Sequence, residues 1–144
     1  METYKNFKIF FLVASIAGVL FSGYMSGVKF FSATCAFGET CPLFLGMPAC
    51  YFGFAMFSLL FIFSIILALG KWSVESLAKA LFGVSLAGII FAGYFSIGEI
   101  PLLWQSGFGA YFFGLPTCVM GCIFFVIIFI ASVIFKKRIK ADRE

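Results

Sequence analysis

The sequence predicts an all-α integral membrane protein, a four-transmembrane-helix bundle built from two tandem helix–loop–helix repeats. Of the 144 residues, 63% are hydrophobic and only 11% are charged, whereas a soluble domain usually carries about 25% charged residues. Four long apolar stretches follow one another along the chain, and segments of the first two recur in the last two. A chain of this length fits one domain, so we expect residues 1–144 to form a single unit.

Each apolar stretch is long enough to cross a bilayer. The stretches are Phe7–Phe31, Met47–Leu69, Leu77–Ile97 and Leu115–Phe135. A hydrocarbon core of about 30 Å needs about 20 helical residues. Because the backbone must satisfy its own hydrogen bonds in lipid, and the stretches are too long for barrel strands, each is predicted to be a helix. The first stretch exceeds the apolar core of a signal peptide, so we expect it to be retained.

The cations predict the orientation of the bundle. Nine of the ten lysine and arginine residues lie at the two termini or between the second and third helices, and only Lys29 lies elsewhere. The positive-inside rule then places both termini in the cytoplasm and the other two connections outside. The five cysteines fall in or beside these outer loops, on the face where disulfides persist. We expect a multi-pass protein of the lipid bilayer (the cytoplasmic membrane in a prokaryote) with no nucleic-acid partner.

Two pairs of segments define an internal repeat. Ser15–Ser26 matches Ser85–Ser96 at seven of twelve positions, and Leu45–Gly53 resembles Phe113–Gly121. Repeat one is predicted to span about residues 7–70 and repeat two about residues 76–136. Because each copy contains two spans, the copies share one orientation, and a pseudo-two-fold axis should run along the membrane normal.

Small residues recur every four positions on the first and third predicted helices. They are Gly18, Ser22 and Ser26, and equivalently Gly88, Ala92 and Ser96. This spacing lets helix backbones approach closely in lipid, so it predicts a compact bundle and says little about chemistry.

Two prolines position two of the cysteines. Proline is favoured at the first position of a helix, so Pro48 and Pro116 place Cys50 and Cys118 near the third position of helices two and four. The positive end of the helix dipole favours a thiolate there. Cysteine also fills cores as a small apolar residue, and that interpretation stays open.

The pairing of these cysteines is not decided by the sequence. Cys122 follows Cys118 by one helical turn, but a disulfide between them requires the first turn to loosen. Cys50 and Cys118 are repeat equivalents, and they would face each other if both point towards the pseudo-two-fold axis.

Cys35 and Cys41 belong to the first outer loop. They bracket five residues, with Gly38 available for a turn, so they can close a small exposed ring. An accessible disulfide of this kind is exchangeable, although a plain staple of the loop is the alternative. Cysteines of structural zinc sites usually lie about two to four residues apart, so no metal site is predicted.

Several reaction classes are excluded or disfavoured. The chain has no histidine, no Walker loop and no nucleophile elbow. The predicted helix interiors carry no charge, which disfavours ion transport. The 23 phenylalanines would line any cavity with aromatic walls that suit a flat ring such as a quinone.

Short motifs in the first two helices resemble the vitamin K epoxide reductase family. Gly18, Ser22 and Tyr24 are similar to the family's G-x-x-x-S-x-Y pattern, and the third helix repeats it. A pair of loop cysteines follows. Leu45-Gly-Met-Pro48 with Gly53 is similar to the F-G-I-P…G opening of the family's second helix.

The resemblance implies four helices around a quinone, with two cysteine pairs. Cys35 and Cys41 would exchange disulfides with a thioredoxin-like partner, and Cys118 would match the second cysteine of a C-x-x-C that reduces the quinone. Leu115 stands where that motif has its first cysteine. Either Cys122 or Cys50 would have to replace it, or the site would be incomplete.

The leading hypothesis is a membrane thiol–disulfide oxidoreductase that couples disulfide formation in a thioredoxin-like partner to quinone reduction. One alternative is a carrier of soft metal ions, Cu(I) or Hg(II), which thiolates select. Another is a structural or assembly subunit whose disulfides staple the outer loops.

Overall fold

The structure is a computed structural model that describes residues 2–34, 43–107, 109 and 116–144. Four helices account for most of these ranges: α1 (Glu2–Ser32), α2 (Ala49–Leu69), α3 (Val74–Ser106) and α4 (Thr117–Arg143). All four are long and apolar enough to span a membrane. The predicted all-α four-helix class is confirmed, and the chain is a multi-pass membrane protein in a lipid bilayer.

A short hairpin precedes α2, where the sequence predicted helix from Met47 onwards. Strand β1 (Leu43–Phe44) pairs antiparallel with strand β2 (Met47–Pro48), so Leu43 faces Pro48 and Phe44 faces Met47. The two residues between the strands, Leu45 and Gly46, have φ values of 52° and 82°. Positive φ at both central residues defines the turn that matches the twist of a tight hairpin. Glycine adopts this conformation without steric conflict.

The two prolines were predicted at the first position of α2 and α4, but each lies immediately before its helix. Pro48 and Pro116 have extended backbones, with ψ values of 136° and 145°, and the helices begin at the residues that follow them. Cys50 and Cys118 are therefore the second residues of α2 and α4. Both still lie in the first turn, where helical backbone N–H groups have no partner within the helix.

Helix α3 extends beyond the predicted end at Ile97. It continues to Ser106 and includes Pro101, because the residues after the proline, Leu102 to Trp104, remain apolar. Proline removes a single backbone donor, and in a membrane such a break is tolerated. At its start α3 is capped by Ser73, whose hydroxyl accepts from the Ser76 N–H.

The helices of each repeat pack against one another, α1 on α2 and α3 on α4, and α2 and α3 join the two halves. Most of the buried residues fall at equivalent positions of the repeats. In the odd helices these pairs are Phe11 and Leu81, Ser15 and Ser85, Gly18 and Gly88, and Ser22 and Ala92. In the even helices they are Phe57 and Phe125, Leu60 and Ile128, Ser64 and Ser132, and Leu67 and Phe135.

Two of these equivalents meet at the centre of the bundle. The rings of Phe57 and Phe125 stack nearly parallel, with centroids 4.3 Å apart and an interplanar angle of 12°. Each ring also lies against a glycine of its own repeat, Gly18 or Gly88, where a Cβ atom would overlap the ring. The pseudo-two-fold axis expected from the repeats therefore passes between these two rings.

Charged contacts join the helix ends near the chain termini. Glu75 at the start of α3 accepts from Lys79 at 2.8 Å and from Arg143 of α4 at 2.5 Å. The Tyr4 hydroxyl donates to Asp142 at 2.6 Å, which links α1 to α4. Because these side chains are exposed to solvent, such contacts usually contribute little stability.

Candidate functional site

A small cavity lies between the four helices on the side of the Phe57–Phe125 stack where α2 and α4 begin. Its volume is about 70 Å³, and fourteen described residues line it. These residues form seven pairs of repeat equivalents: Phe21 and Phe91, Ser22 and Ala92, Met25 and Phe95, Ala49 and Thr117, Cys50 and Cys118, Gly53 and Gly121, and Phe57 and Phe125. The cavity thus follows the pseudo-two-fold axis, from the cysteines to the stacked rings about 10 Å away along the helices.

The structure brings Cys50 and Cys118 to this cavity. Both residues are half-buried and both line its wall. Cys122 is a free thiol that is half-buried and packs against the hydrophobic core, and it is not among the described residues that line the cavity. Cys35 and Cys41 lie outside the described residues. The i,i+4 pair Cys118 and Cys122 sits in regular helix, a geometry that holds their side chains parallel.

A hydrogen bond between helices fixes the start of α2. The Ser26 hydroxyl of α1 donates to the backbone oxygen of Cys50 at 3.1 Å. In the second repeat the equivalent Ser96 donates within its own helix, to the Ala92 oxygen at 2.7 Å. The Ser26 hydroxyl therefore links the first turn of α2 to α1, whereas the Ser96 hydroxyl bonds within α3.

Aromatic rings form much of the surrounding wall. Phe91 and Phe95 line the cavity and contact each other at a centroid distance of 5.1 Å. Phe44 of the hairpin packs against Phe91 at 5.3 Å and against Phe52 at 5.2 Å. This aromatic cluster therefore packs the hairpin against α2 and α3 next to the cavity. None of the described lining residues is charged.

Met25 is a lining residue that sequence analysis did not single out. It is only 5% exposed, and its thioether is the third sulfur among the described lining side chains. Within an apolar helix nothing distinguishes it from methionines that face lipid. The repeat offers a signal, because Met25 aligns with Phe95 at one of the positions where the two copies differ.

The size of the cavity decides what it can hold. Its volume of about 70 Å³ is less than half of the roughly 150 Å³ cavity that accommodates benzene. The cavity is partly open to the surface, and its apolar walls have chemistry that suits a quinone ring. The volume is several times the roughly 10–15 Å³ that one water needs, so an ion or a few small atoms fit.

Comparison of the chain with protein-family models, with curated proteins and with solved structures finds no match. The resemblance to the vitamin K epoxide reductase family therefore depends on its short motifs. Two of their residues have packing or backbone roles here: Gly18 admits the Phe57 ring and Gly46 forms the hairpin turn. Such roles occur in many helical bundles, so these residues do not by themselves identify a family.

Proposed function

We propose that the chain is a membrane thiol–disulfide oxidoreductase whose reactive pair is Cys50 and Cys118. The observation that carries the proposal is their shared cavity, since each lies in the first turn of its helix and both line the same small apolar space. Two cysteines on one cavity are placed to gain or lose two electrons together by breaking or forming one disulfide.

In the proposed reaction a disulfide between Cys50 and Cys118 oxidises the loop pair. A thiolate of Cys35 or Cys41 attacks one sulfur of that disulfide, so a mixed disulfide forms and one thiolate leaves. The other loop thiolate resolves the mixed disulfide. The loop pair then carries the disulfide, and Cys50 and Cys118 carry two thiols. The loop pair oxidises a thioredoxin-like partner by the same exchange, and the number of sulfur–sulfur bonds is conserved at each step.

The proposed pair accounts for the cysteine of the family motif that this chain lacks. Leu115 stands where the C-x-x-C has its first cysteine, and Cys50 of the other repeat supplies the second sulfur instead. Cys122 is the weaker replacement, because it is not among the described lining residues of the cavity that Cys118 shares. A disulfide between i and i+4 in regular helix would also be strained.

A quinone is the acceptor that the resemblance implies, and the apolar aromatic walls of the cavity suit its ring. The steps proposed for the residues of this chain are exchanges among thiols and disulfides. An oxidised protein or small-molecule disulfide of higher reduction potential regenerates the Cys50–Cys118 disulfide by the same chemistry, run in the opposite direction.

The proposal also includes the orientation of the bundle. Nine of the ten cations lie towards the end with the chain termini or the α2–α3 connection, so the positive-inside rule assigns this end to the cytoplasm. The first turns of α2 and α4, with Cys50 and Cys118, then face outward. The outer side is also where disulfides persist.

A disulfide map tests the proposal. Purified protein is treated with oxidised glutathione and then with dithiothreitol, and its cysteines are alkylated differentially before and after each step and identified by mass spectrometry. We expect a peptide that links Cys50 to Cys118 after oxidation and two thiols after reduction. Cys122→Ser is the matched control and should leave this cycle intact, whereas Cys118→Ser should abolish it.

Two outcomes would contradict the proposal. One is a map in which oxidation joins Cys118 to Cys122. The other is a map in which Cys50 and Cys118 remain thiols throughout. That result would mean that the folded bundle holds their Cα atoms outside the range of about 4.4–6.8 Å that a disulfide needs. Exchange confined to Cys35 and Cys41 would favour a structural subunit with a stapled loop.

A further inference from the structure

We infer that the cavity on the pseudo-two-fold axis is a binding site for a soft monovalent metal ion, Cu(I), with Cys50, Cys118 and Met25 as its ligands. The inference does not rest on the proposed function, because it concerns the reduced protein and involves no electron transfer.

Three of the described lining residues carry sulfur, and they come from three different helices. Met25 belongs to α1, Cys50 to α2 and Cys118 to α4. Met25 is nearly buried, with 5% of its surface exposed, so its thioether is not a ligand available from solvent. The cavity therefore brings three sulfur-containing residues that lie far apart in the chain to the wall of one apolar space.

The donor set selects the class of metal. Thiolates and thioethers are soft ligands that favour Cu(I), whereas Mg²⁺ and Ca²⁺ require oxygen donors. No carboxylate is among the described lining residues. Within the described ranges, no group of three histidine, cysteine, aspartate or glutamate side chains could hold a metal. The third ligand is therefore the thioether, which Zn²⁺ does not ordinarily take.

The volume of the site of about 70 Å³ is several times the roughly 10–15 Å³ that one water needs, so a single ion fits. Two thiolates and one Cu(I) ion together carry a single negative charge. The softness of the three sulfur donors, and not charge neutrality, is therefore what selects this ion. Asymmetry of the repeats supplies the third donor, since the equivalent of Met25 is Phe95.

The test uses the full-length chain with Cys35, Cys41 and Cys122 replaced by serine, so that only the proposed thiol ligands remain. Reduced protein is titrated with Cu(I) against a chromophoric Cu(I) chelator, and the bound metal is measured per chain. Met25→Leu conserves volume, so the core should tolerate it. Met56→Leu is the matched control, because Met56 packs against the core and is not among the described cavity residues.

We expect one Cu(I) per chain, bound at least about tenfold more weakly after Met25→Leu, since loss of even an outer-shell partner weakens metal affinity about 10–100-fold. Met56→Leu should bind as the parent does, and Cys50→Ser or Cys118→Ser should abolish tight binding. Equal affinity of the Met25→Leu and Met56→Leu proteins would overturn the inference, as would undiminished binding after either serine substitution. Failure here is separable from failure of the proposed function, because Cu(I) binding is measured on reduced protein, whereas the disulfide map is made on metal-free protein treated with oxidised glutathione.

Discussion

Replacing Gly18 by alanine should destabilise the bundle, although alanine is the better helix former. A Cβ atom at Gly18 would lie closer than 3.0 Å to atoms of the Phe57 ring. The ring cannot move away freely, because it stacks on the Phe125 ring at a centroid distance of 4.3 Å and the Phe124 ring lies 6.3 Å away. We therefore take overpacking at the upper end of its usual range, about 3 kcal/mol.

The net effect follows from two opposing terms. Glycine to alanine in a helix interior favours the helix by about 1 kcal/mol, so Gly18→Ala should lower the free energy of unfolding by about 2 kcal/mol. Gly27→Ala is the matched control on the same helix, since no heavy atom lies within 4 Å of the position its Cβ would occupy. It should be neutral or stabilising by up to about 1 kcal/mol, so the two variants should differ by about 3 kcal/mol.

The assay is unfolding by sodium dodecyl sulfate in bicelles, followed by circular dichroism. A second variant, Gly18→Ala with Phe57→Leu, removes the ring that the new methyl group meets. The double-mutant cycle should show a coupling energy of at least about 1 kcal/mol. The reasoning is refuted if Gly18→Ala unfolds at the same detergent fraction as Gly27→Ala, because the Phe57 ring would then not be held in place.

Two further predictions use repeat equivalents as controls. The Ser64 hydroxyl donates to the Leu60 oxygen of its own helix at 2.7 Å and also lies 3.3 Å from the Phe11 oxygen of α1. Ser64→Ala should therefore cost about 0.6 kcal/mol of unfolding free energy in bicelles. Ser132→Ala should cost less, because the bond described for Ser132 is the one to Ile128 of its own helix; equal losses would contradict this. Ser26→Ala should release the first turn of α2 and raise the alkylation rate of its cysteine about threefold, the equivalent of about 0.6 kcal/mol. Ser96→Ala should leave the cysteine of α4 unchanged, and an unaltered rate in the Ser26 variant would show that the bond does not restrain the turn.

The four helices were predictable because the bilayer leaves few alternatives. An apolar stretch of about 20 residues satisfies its backbone in lipid only as a helix, and every predicted stretch lies largely within one of the helices. The ends were harder to predict. The hairpin turn requires positive φ at Leu45, which its residue type does not suggest, and α3 continues through Pro101, where proline ordinarily indicates an end.

The candidate site was predictable only in part. Repeat alignment made Cys50 and Cys118 equivalent, and from this alone one expects them on a common axis. The sequence offered Cys122 on equal terms, because helical spacing gives proximity but not the face that a residue turns towards its neighbours. Met25 was missed since only the packing of four helices separates a buried methionine from one that faces lipid.

Duplication and divergence have different consequences at this site. When two copies of one unit are related by a two-fold axis, equivalent residues of the copies lie at equal distances from that axis. One cysteine in each copy therefore gives a pair of cysteines about the axis. A symmetric pair would give the two sulfurs the same surroundings and no preferred order of reaction. Here the copies differ around the pair: Cys50 has the bond from Ser26 on its backbone, while Cys118 has Cys122 one turn along its helix. Exchange reactions depend on which sulfur is attacked, so these differences are what would give a duplicated site a direction.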